Sequence, residues 1–315
     1  MERIKVLAIV GPTASGKTAL SIELARRLDG EIVSCDSMQV YRGMNVGTAK
    51  PTEDEKCGIA HHLIDVADAT EPFSVAEYVT LAQAAIADIH ARGKLPIICG
   101  GTGLYLDALL RGGLEETESD PALRSALFEY AEANGARALH ERLRAVDPES
   151  ADAIHENNVK RVVRALEIYE STGITKTEFD RSSREREAPY EATVVELFYP
   201  DREVLYERIA RRVGLMLENG LLEETATLDA AGVFERNTTA AQAIGYKEIL
   251  PALHGEETLA AATERLVTAT RRYAKRQITW FRAKEYVRPL TVTDAKGDLR
   301  PLGELADEVV KLFIK

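Results

Sequence analysis

The feature that most constrains this chain is an octapeptide of the pattern G-x-x-x-x-G-K-T, which reads Gly11-Pro12-Thr13-Ala14-Ser15-Gly16-Lys17-Thr18. It follows a β-rich apolar run, Val6 to Val10, and opens a helical pattern from Lys17 to Leu28. Glycines let such a turn curl so that its N–H groups point at an anion, and the helix N-terminus adds partial positive charge. Lys17 brings a full charge to phosphate oxygens, and the Thr18 hydroxyl is suited to ligate Mg²⁺. The segment therefore predicts a phosphate-binding loop between a strand and a helix.

The loop by itself does not reveal which molecule carries the phosphates. A nucleoside triphosphate such as ATP is the commonest source, and a prenyl diphosphate presents the same group. The motif therefore predicts a phosphate ligand and leaves open whether ATP binds.

Apolar runs alternate with helical patterns after this loop. The further runs are Glu31 to Cys35, His62 to Val66 and Leu95 to Cys99, with an alanine-rich helical stretch from Val75 to Arg92. This alternation indicates an α/β fold in which helices flank a parallel sheet. Ligands of such sheets bind at the carboxyl ends of the strands, so we expect Gly11, Asp36 and Gly100 to meet at one cleft.

The pattern changes after Gly112-Gly113. Asp120-Pro121 and Asp147-Pro148 are typical helix starts, and Ser171-Thr172-Gly173 is typical of a helix end. The polar segment from Lys176 to Pro189, with Arg181, Arg184 and Arg186, is typical of a surface loop, and Thr193 to Phe198 alternates like a strand. We predict that residues 1–115 and 192–315 form the catalytic core, with a mostly helical insertion over residues 116–191.

Two turns of the predicted core carry candidates for the cleft. Asp36 follows the second apolar run, where a carboxylate fits a general base, or a holder of Mg²⁺ through water, as well as it fits a simple turn residue. The turn Gly100-Gly101-Thr102-Gly103 follows the fourth run. Its glycines permit close backbone approach to a ligand and would place the Thr102 hydroxyl in the same cleft, although a plain strand-to-helix turn looks the same.

Positive charge is clustered although the formal net charge of the chain is -11. Arg161 and Arg164 share one face of a predicted helix. The last long helical stretch, Thr258 to Arg282, is nearly free of acidic residues from Leu266 onward. A solvated helix face is the usual explanation of such a stretch, but segregation within an acidic chain favours a surface that follows a phosphate backbone.

Composition also bears on the compartment. The three cysteines, Cys35, Cys57 and Cys99, match no zinc spacing. No segment approaches the ~20 apolar residues of a membrane span, and the N-terminus lacks a signal-peptide pattern. We therefore expect a soluble, cytoplasmic protein without a membrane partner, and we expect it to be a monomer.

Taken together, several segments resemble the bacterial tRNA dimethylallyltransferases, also called tRNA isopentenyltransferases. They lie in order along nearly the whole chain, and they are Gly11–Thr18, Asp36–Met44, Gly47–Pro51, His61–Asp65, Gly100–Tyr105, Arg161–Glu167, Ala243–Glu248 and Lys275–Arg282. The set is far more specific than any one of its motifs.

The resemblance implies a fold like that of P-loop kinases, in which the loop Gly11–Thr18 holds dimethylallyl diphosphate with Mg²⁺. It implies transfer of the dimethylallyl group to N6 of adenine 37 in the anticodon stem-loop of tRNA. Asp36 would be the general base, and Thr102 and Lys17 would also be catalytic. The implied tRNA-binding residues are Asp36, Ser37, Met38, Gln39, Thr102, Arg124, Lys160, Arg161, Val162, Val163, Arg164, Lys275, Arg276, Gln277, Trp280 and Arg282.

Three other functions use the same motifs. A small-molecule or nucleotide kinase would share the loop and the sheet but would bind ATP. A prenyltransferase acting on free adenine nucleotides would need neither the long insertion nor the basic last helix. An RNA-binding regulator with a degenerate loop is disfavoured because Lys17 and Thr18 are both intact.

Overall fold

The computed structural model describes residues 3–111, 120–185 and 188–314, and within the helix that ends at Glu185 it does not describe the side chains of residues 183–185. The chain forms two compact units. The core unit comprises Met1–Leu110 and Pro189–Lys315, and the helical unit comprises Arg111–Ala188. The boundary that the sequence places at 115/116 lies outside the described residues.

The core unit is built on a six-stranded sheet, and every pairing between its strands is parallel. The strands are β1 Ile4–Val10, β2 Gly30–Cys35, β3 His61–His62, β4 Leu95–Gly100, β5 Tyr190–Phe198 and β6 Val287–Thr291, in the order β3-β2-β4-β1-β5-β6. Val6 to Val10 are at most 1% exposed, because helices cover both faces of the sheet. The predicted α/β fold is confirmed.

The third strand is shorter than the sequence predicts. The apolar run His62 to Val66 was expected to be a strand, but β3 ends at His62. Leu63 and Asp65 adopt φ angles of 63° and 59°, which no strand accommodates. The prediction was therefore wrong beyond His62, and β6 was not predicted at all.

Helices on both faces of the sheet complete the core unit. In chain order they are α1 Lys17–Leu28, α2 Glu53–Lys56, α3 Val75–Ala91, α4 Gly103–Leu110, α10 Arg202–Glu218, α11 Leu221–Ala230, α12 Val233–Arg236, a 3-10 turn at Ala240–Gln242, α13 Tyr246–Leu253, α14 Leu259–Arg282 and α15 Leu302–Ile314. One face of the sheet packs Leu7 and Ile9 against Leu20 and Leu24 of α1. A second apolar cluster, which includes Val213 and Leu266, lies beneath α10, α11, α13 and α14.

The described residues of the helical unit form five helices, α5 Pro121–Asn134, α6 Ala136–Val146, α7 Pro148–Ala153, α8 Val159–Thr172 and α9 Lys176–Glu185. The predicted starts and stop are confirmed. The Asp120 carboxylate accepts hydrogen bonds from the N–H groups of Ala122 and Leu123, and Gly173 ends α8 with a φ of 73°. Leu139, Leu143 and Val162 contribute to its apolar core.

Helix α9 corrects the prediction of a surface loop from Lys176 to Pro189. Thr175 and Glu178 form a reciprocal cap, in which each side chain accepts a hydrogen bond from the other residue's N–H. The buried Asp147 carboxylate accepts hydrogen bonds from the N–H and the hydroxyl of Thr177, which fixes the start of α9. The polar composition reflects a solvated helix, and Arg186 lies outside the described residues.

Among the residues that the structure describes, no helix is both long enough and apolar enough to cross a membrane.

Candidate active site

The strand order brings three turns to one edge of the sheet. Strands β2, β4 and β1 are neighbours, and Asp36, Gly101 and the loop at Gly11 follow their carboxyl ends. Asp36, Gly100, Gly101 and Thr13 line one cleft of about 280 Å³. The expected meeting of these turns is confirmed.

The phosphate-binding loop has the backbone that an anion cradle needs. Gly11, Ala14 and Gly16 adopt positive φ angles of 135°, 62° and 96°, so the backbone turns sharply within six residues. Helix α1 begins directly after Gly16 without a side-chain cap. Its first N–H groups therefore remain available to a ligand.

Two side chains hold the carbonyl groups of this loop. Arg208 Nε donates to Ala14 O at 2.8 Å, and the Tyr199 hydroxyl donates to Ser15 O at 2.9 Å. A peptide group points its N–H opposite to its C=O. Of the two N–H groups that follow these carbonyls, that of Ser15 donates to Pro12 O at 3.3 Å, and that of Gly16 points away from Tyr199.

Lys17 is the first residue of α1, and it lines the cleft. Its Nζ donates to Pro12 O at 2.7 Å. The pKa of Lys17 is lowered from 10.5 to about 8, mainly by burial; Cys99 and Asp36 act to raise it, and Arg212 acts to lower it. A bound anion would restore the charge, because an opposite charge favours the ammonium form.

Asp36 is the turn residue that the sequence offered as one alternative, and it also lines the cleft, whereas its roles as general base or holder of Mg²⁺ stay predictions. Its Oδ1 accepts hydrogen bonds from the N–H groups of Met38 at 2.9 Å and Gln39 at 3.2 Å. The same residue lines the cleft with Lys17. The turn thus fixes the carboxylate through one oxygen.

Thr102 joins the ends of β2 and β4. Its Oγ1 accepts a hydrogen bond from Ser37 N at 3.1 Å, and its own N–H donates to Cys35 O at 3.2 Å. Thr102 is therefore held against the turn that carries Asp36, although it is not among the described residues that line the cleft, and its predicted place in the cleft stays a prediction.

Gln277 lies on helix α14 and forms hydrogen bonds to two loops of the cleft. Its Oε1 accepts a hydrogen bond from Thr13 N at 2.8 Å, and its Nε2 donates to Gly101 O at 3.0 Å. It is only 5% exposed, and a β-carbon on Gly101 would overlap its amide. The structure thus places Gln277 as a brace inside the core unit, and the tRNA contact implied for it stays a prediction.

The sequence analysis missed Arg212 and Tyr273, which line the cleft, and Arg208, which holds the loop beside it. Arg212 Nη1 donates to Thr13 Oγ1 at 3.1 Å, and burial lowers the pKa of this guanidinium. The pKa of Tyr273 is raised by burial and by the nearby Asp36. The four-residue spacing of Arg208 and Arg212 was the available signal, since it places both on one helix face.

Two helices line the cleft with a gradient from polar to apolar. Along α10, the apolar Val213 and Met216 follow Arg212. Along α14, Gln277 and Tyr273 lie near the phosphate-binding loop, and Leu266 lies about 16 Å further along the axis from Gln277. The cleft therefore combines cationic groups at the loop Gly11–Thr18 with a wall that is mainly apolar, in which Thr270 and Gln242 are polar and Ile209 reaches back toward Arg212.

The remaining residues of α14 proposed for tRNA lie on or near its surface. Lys275, Arg276 and Arg282 are exposed, and Arg276 also lines the cleft. The Arg282 guanidinium lies 4.9 Å from the ring centroid of Phe198. Trp280 is partly buried and packs against Gly103, where a β-carbon would overlap its ring.

In the helical unit the predicted tRNA-binding residues fall into two groups. Arg124, Lys160 and Arg161 are exposed, whereas Arg164 Nη1 pairs with the buried Glu167 at 2.9 Å. The tRNA contacts predicted for the side chains of Val162 and Val163 are corrected by the structure, because both residues are 0% exposed. Their side chains form the core of this unit and cannot reach an RNA.

The sequence of this chain is similar to those of a known enzyme family. Residues 39–284 match the family model described as IPP transferase. A curated tRNA dimethylallyltransferase of Geobacillus thermodenitrificans is 50% identical over 92% of this chain and 91% of its own length.

Solved structures agree with the match in sequence. The crystal structure of a tRNA isopentenylpyrophosphate transferase from Bacillus halodurans aligns with a TM-score of 0.71 at 43% identity, covering 98% of this chain and 97% of that one. A eukaryotic dimethylallyltransferase, captured in crystallographic snapshots while acting on tRNA, aligns with a TM-score of 0.79 at 34% identity over 93% of this chain and 75% of its own.

Proposed function

This chain belongs to the IPP transferase family of tRNA dimethylallyltransferases, and from that premise we propose how its cleft moves a dimethylallyl group from dimethylallyl diphosphate to N6 of adenine 37 in tRNA. The observation that carries the proposal is the gradient of the cleft. A cationic cradle at one part and apolar walls at the other match a ligand with a diphosphate head and a hydrocarbon tail.

The diphosphate would occupy the loop Gly11–Thr18. The inward N–H groups, Lys17 and Arg212 would surround its oxygens, since all belong to or contact that loop. Charge that develops on the departing diphosphate is stabilised by donors already fixed in place. Arg208, Tyr199 and Gln277 would act by holding the loop in this shape.

Mg²⁺ fits the same part of the cleft. No cluster of three or more His, Cys, Asp or Glu side chains forms a metal site in the part of the chain that the structure describes. Mg²⁺ commonly uses one or two protein oxygens together with phosphate oxygens and water, and Thr18 lines the cleft beside Lys17. Thr18 would hold the ion, which when bound neutralises charge on the leaving group.

The hydrocarbon tail would lie against Val213, Met216 and Leu266. Apolar contact there contributes about 25 cal/mol per Å² of area removed from water. The relatives of this chain are dimethylallyltransferases, which favours a prenyl donor over ATP in this cleft.

The reaction would be a displacement at the allylic carbon. The bond between this carbon and the diphosphate oxygen breaks, a bond to adenine N6 forms, and one N6 proton passes to the carboxylate of Asp36. The Oδ1 atom of Asp36 is occupied by two backbone N–H groups, which orients the other oxygen as the acceptor. The diphosphate leaves with both bonding electrons.

The acceptor adenine must leave its stack to reach this carboxylate. A single-stranded loop offers a base whose edges are free, which is why an anticodon loop is a suitable substrate. Phosphates of the stem would be bound by exposed basic residues, namely Arg124, Lys160 and Arg161 of the helical unit and Lys275, Arg276 and Arg282 of α14.

The experiment that tests this function is nucleoside mass spectrometry after reaction. The purified protein would be incubated with an unmodified tRNA transcript, Mg²⁺ and dimethylallyl diphosphate, with parallel arms that replace the donor by ATP or the tRNA by adenosine monophosphate. We expect N6-(dimethylallyl)adenosine in the first arm alone. A phosphorylated acceptor in the ATP arm, with no prenylated nucleoside, would contradict the proposal, and a product from the free nucleotide would reassign the acceptor.

A further inference from the structure

Glu224 of helix α11 makes an unusual set of contacts with the loop that follows Met44. Its carboxylate accepts hydrogen bonds from three successive N–H groups, those of Asn45 at 3.0 Å, Val46 at 2.9 Å and Gly47 at 3.0 Å. The Tyr246 hydroxyl donates to the same carboxylate at 2.7 Å. Successive N–H groups that converge in this way form a concave anion site, and here the anion is a side chain of the protein itself.

Tyr246 fixes the same loop through its ring. It is 0% exposed, and a β-carbon on Gly47 would overlap the ring, so only glycine allows this approach. Burial and the neighbouring Glu224 raise the pKa of Tyr246, which keeps its hydroxyl a donor. Glu224 and Tyr246 therefore hold the loop jointly.

Two further side chains hold the loop from its other sides. Gln39 Nε2 donates to Thr48 O at 3.2 Å and to Ala49 O at 3.3 Å. Lys50, whose side chain is 6% exposed, donates to Tyr41 O and Asn45 Oδ1, both at 2.9 Å. The loop of residues 45–49, which lies outside the helices and strands, is thus held by a side chain at each of its five residues.

The loop is part of the wall of the cleft. Gly47, Thr48 and Ala49 line it together with Met216 and Leu266. Met44, in the apolar cluster of the core unit, packs with Val213 and Leu266, and Val46 packs against that cluster. Movement of the loop would therefore change the width of the apolar part of the cleft.

We propose that Glu224 is a positioning residue that fixes the loop of residues 45–49 as a wall of the apolar part, and thereby limits the length of the prenyl chain that the enzyme accepts. Glu224 touches the loop and does not line the cleft itself. The inference rests on the proposed function, because it concerns the donor of that reaction.

The test compares Glu224→Gln with Glu223→Gln. The glutamine keeps the length of the side chain but turns an NH₂ group toward backbone N–H groups, which leaves donors unpaired and loosens the loop. Glu223 is an exposed neighbour on the same helix and makes no side-chain contact with the loop among the described residues. Both variants would be assayed with dimethylallyl and geranyl diphosphate at saturating tRNA, and with tRNA varied at saturating dimethylallyl diphosphate.

For Glu224→Gln we expect KM for dimethylallyl diphosphate to rise about tenfold, with KM for tRNA unchanged. The preference for dimethylallyl over geranyl diphosphate, as a ratio of kcat/KM, should fall about tenfold, which is in the range by which pocket width discriminates chain length. A general loss of folding would instead lower the amount of active enzyme and leave both KM and the ratio unchanged.

Tyr246→Phe keeps the test decisive if Glu224→Gln does not fold. It retains the ring over Gly47 and the three backbone bonds, and it removes one hydrogen bond to Glu224. We expect a fall of about threefold in the same ratio. The inference would be overturned if Glu224→Gln and Glu223→Gln showed the same donor preference. If Glu224→Gln does not fold, an unchanged donor preference in Tyr246→Phe would overturn it instead. Failure of the wild type to prenylate tRNA would instead overturn the proposed function.

Discussion

The cleft of the core unit and the basic surface of the helical unit differ in how their side chains are held. Asp36 and Gln277 in the cleft, and Thr102 beside it, each accept or donate hydrogen bonds that fix their orientation. On the helical unit, Lys160 and Arg161 are exposed, and no ion-pair partner is found for either among the described residues. Side chains whose orientation is fixed are suited to catalysis, which needs the reacting groups in a defined geometry. Exposed, solvated cations are suited to binding the phosphates of a large nucleic acid. Substitutions in the two regions should therefore have different kinetic signatures.

The largest effect is expected for Asp36→Asn. Asparagine retains an oxygen that can accept the N–H groups of Met38 and Gln39, so the turn should survive while the base is lost. We expect kcat to fall about 10²- to 10⁴-fold. Single-turnover kinetics would measure this fall, and filter binding should show unchanged affinity for tRNA. Turnover near that of the wild type would refute the role of Asp36 as base. A parallel loss of tRNA affinity would show that the cleft also contributes to tRNA binding, against the proposed difference between the two regions.

Gln277→Leu tests whether the cleft depends on its braces. The change leaves the Thr13 N–H and the Gly101 carbonyl without their partner. We expect the free energy of unfolding to fall by about 1–3 kcal/mol and KM for the donor to rise. Urea denaturation measures the first and steady-state kinetics the second. The matched control is Thr279→Ala, two residues along the same helix, whose exposed hydroxyl bonds only within the helix. Equal effects of the two changes would argue against a brace.

The ionisation of Lys17 gives the cleft a pH dependence. Its pKa is lowered from 10.5 to about 8, mainly by burial. Only the ammonium form attracts the diphosphate, so donor affinity should fall about tenfold from pH 7 to pH 9. Between pH 8 and 10.5 the unfolded chain binds the proton and the native state does not. The contribution of this group to the free energy of unfolding therefore rises with pH over that range.

Calorimetric titration without tRNA would measure the fall in donor affinity. Lys17→Arg is the control, because a guanidinium stays charged throughout this range and should flatten the profile. A wild-type profile that matches that of the arginine variant would contradict the assignment.

The smallest effect is expected for Arg161→Ala in the helical unit. An exposed cation contributes weakly, so tRNA affinity should fall about fivefold at low salt while kcat at saturating tRNA stays unchanged. The slope of log affinity against log salt should fall by about one. Arg144→Ala is the control, because Arg144 is paired with Asp152 at 2.7 Å within the same unit. An unchanged slope for Arg161→Ala would count against this phosphate contact.

Much of the fold could be predicted because its signals are local. The phosphate-binding loop, the alternation of strands and helices, and the caps at Asp120 and Asp147 each depend on a few consecutive residues. Two local predictions failed for local reasons. The left-handed residues Leu63 and Asp65 shorten β3, and the reciprocal cap of Thr175 and Glu178 was overlooked at the start of α9.

The sequence by itself predicted a phosphate-binding loop at the start of α1, placed Asp36 and Thr102 in turns at the same edge of the sheet, and carried the resemblance to the family that the comparisons show. Only the tertiary structure decided what fixes these groups. Gln277 reaches Thr13 across 264 positions of sequence, Arg208 reaches Ala14 across 194, and Glu224 reaches Asn45 across 179. The physical reason is that a turn is specified by the φ and ψ preferences of its own residues, whereas distant partners are chosen by how helices pack against the sheet.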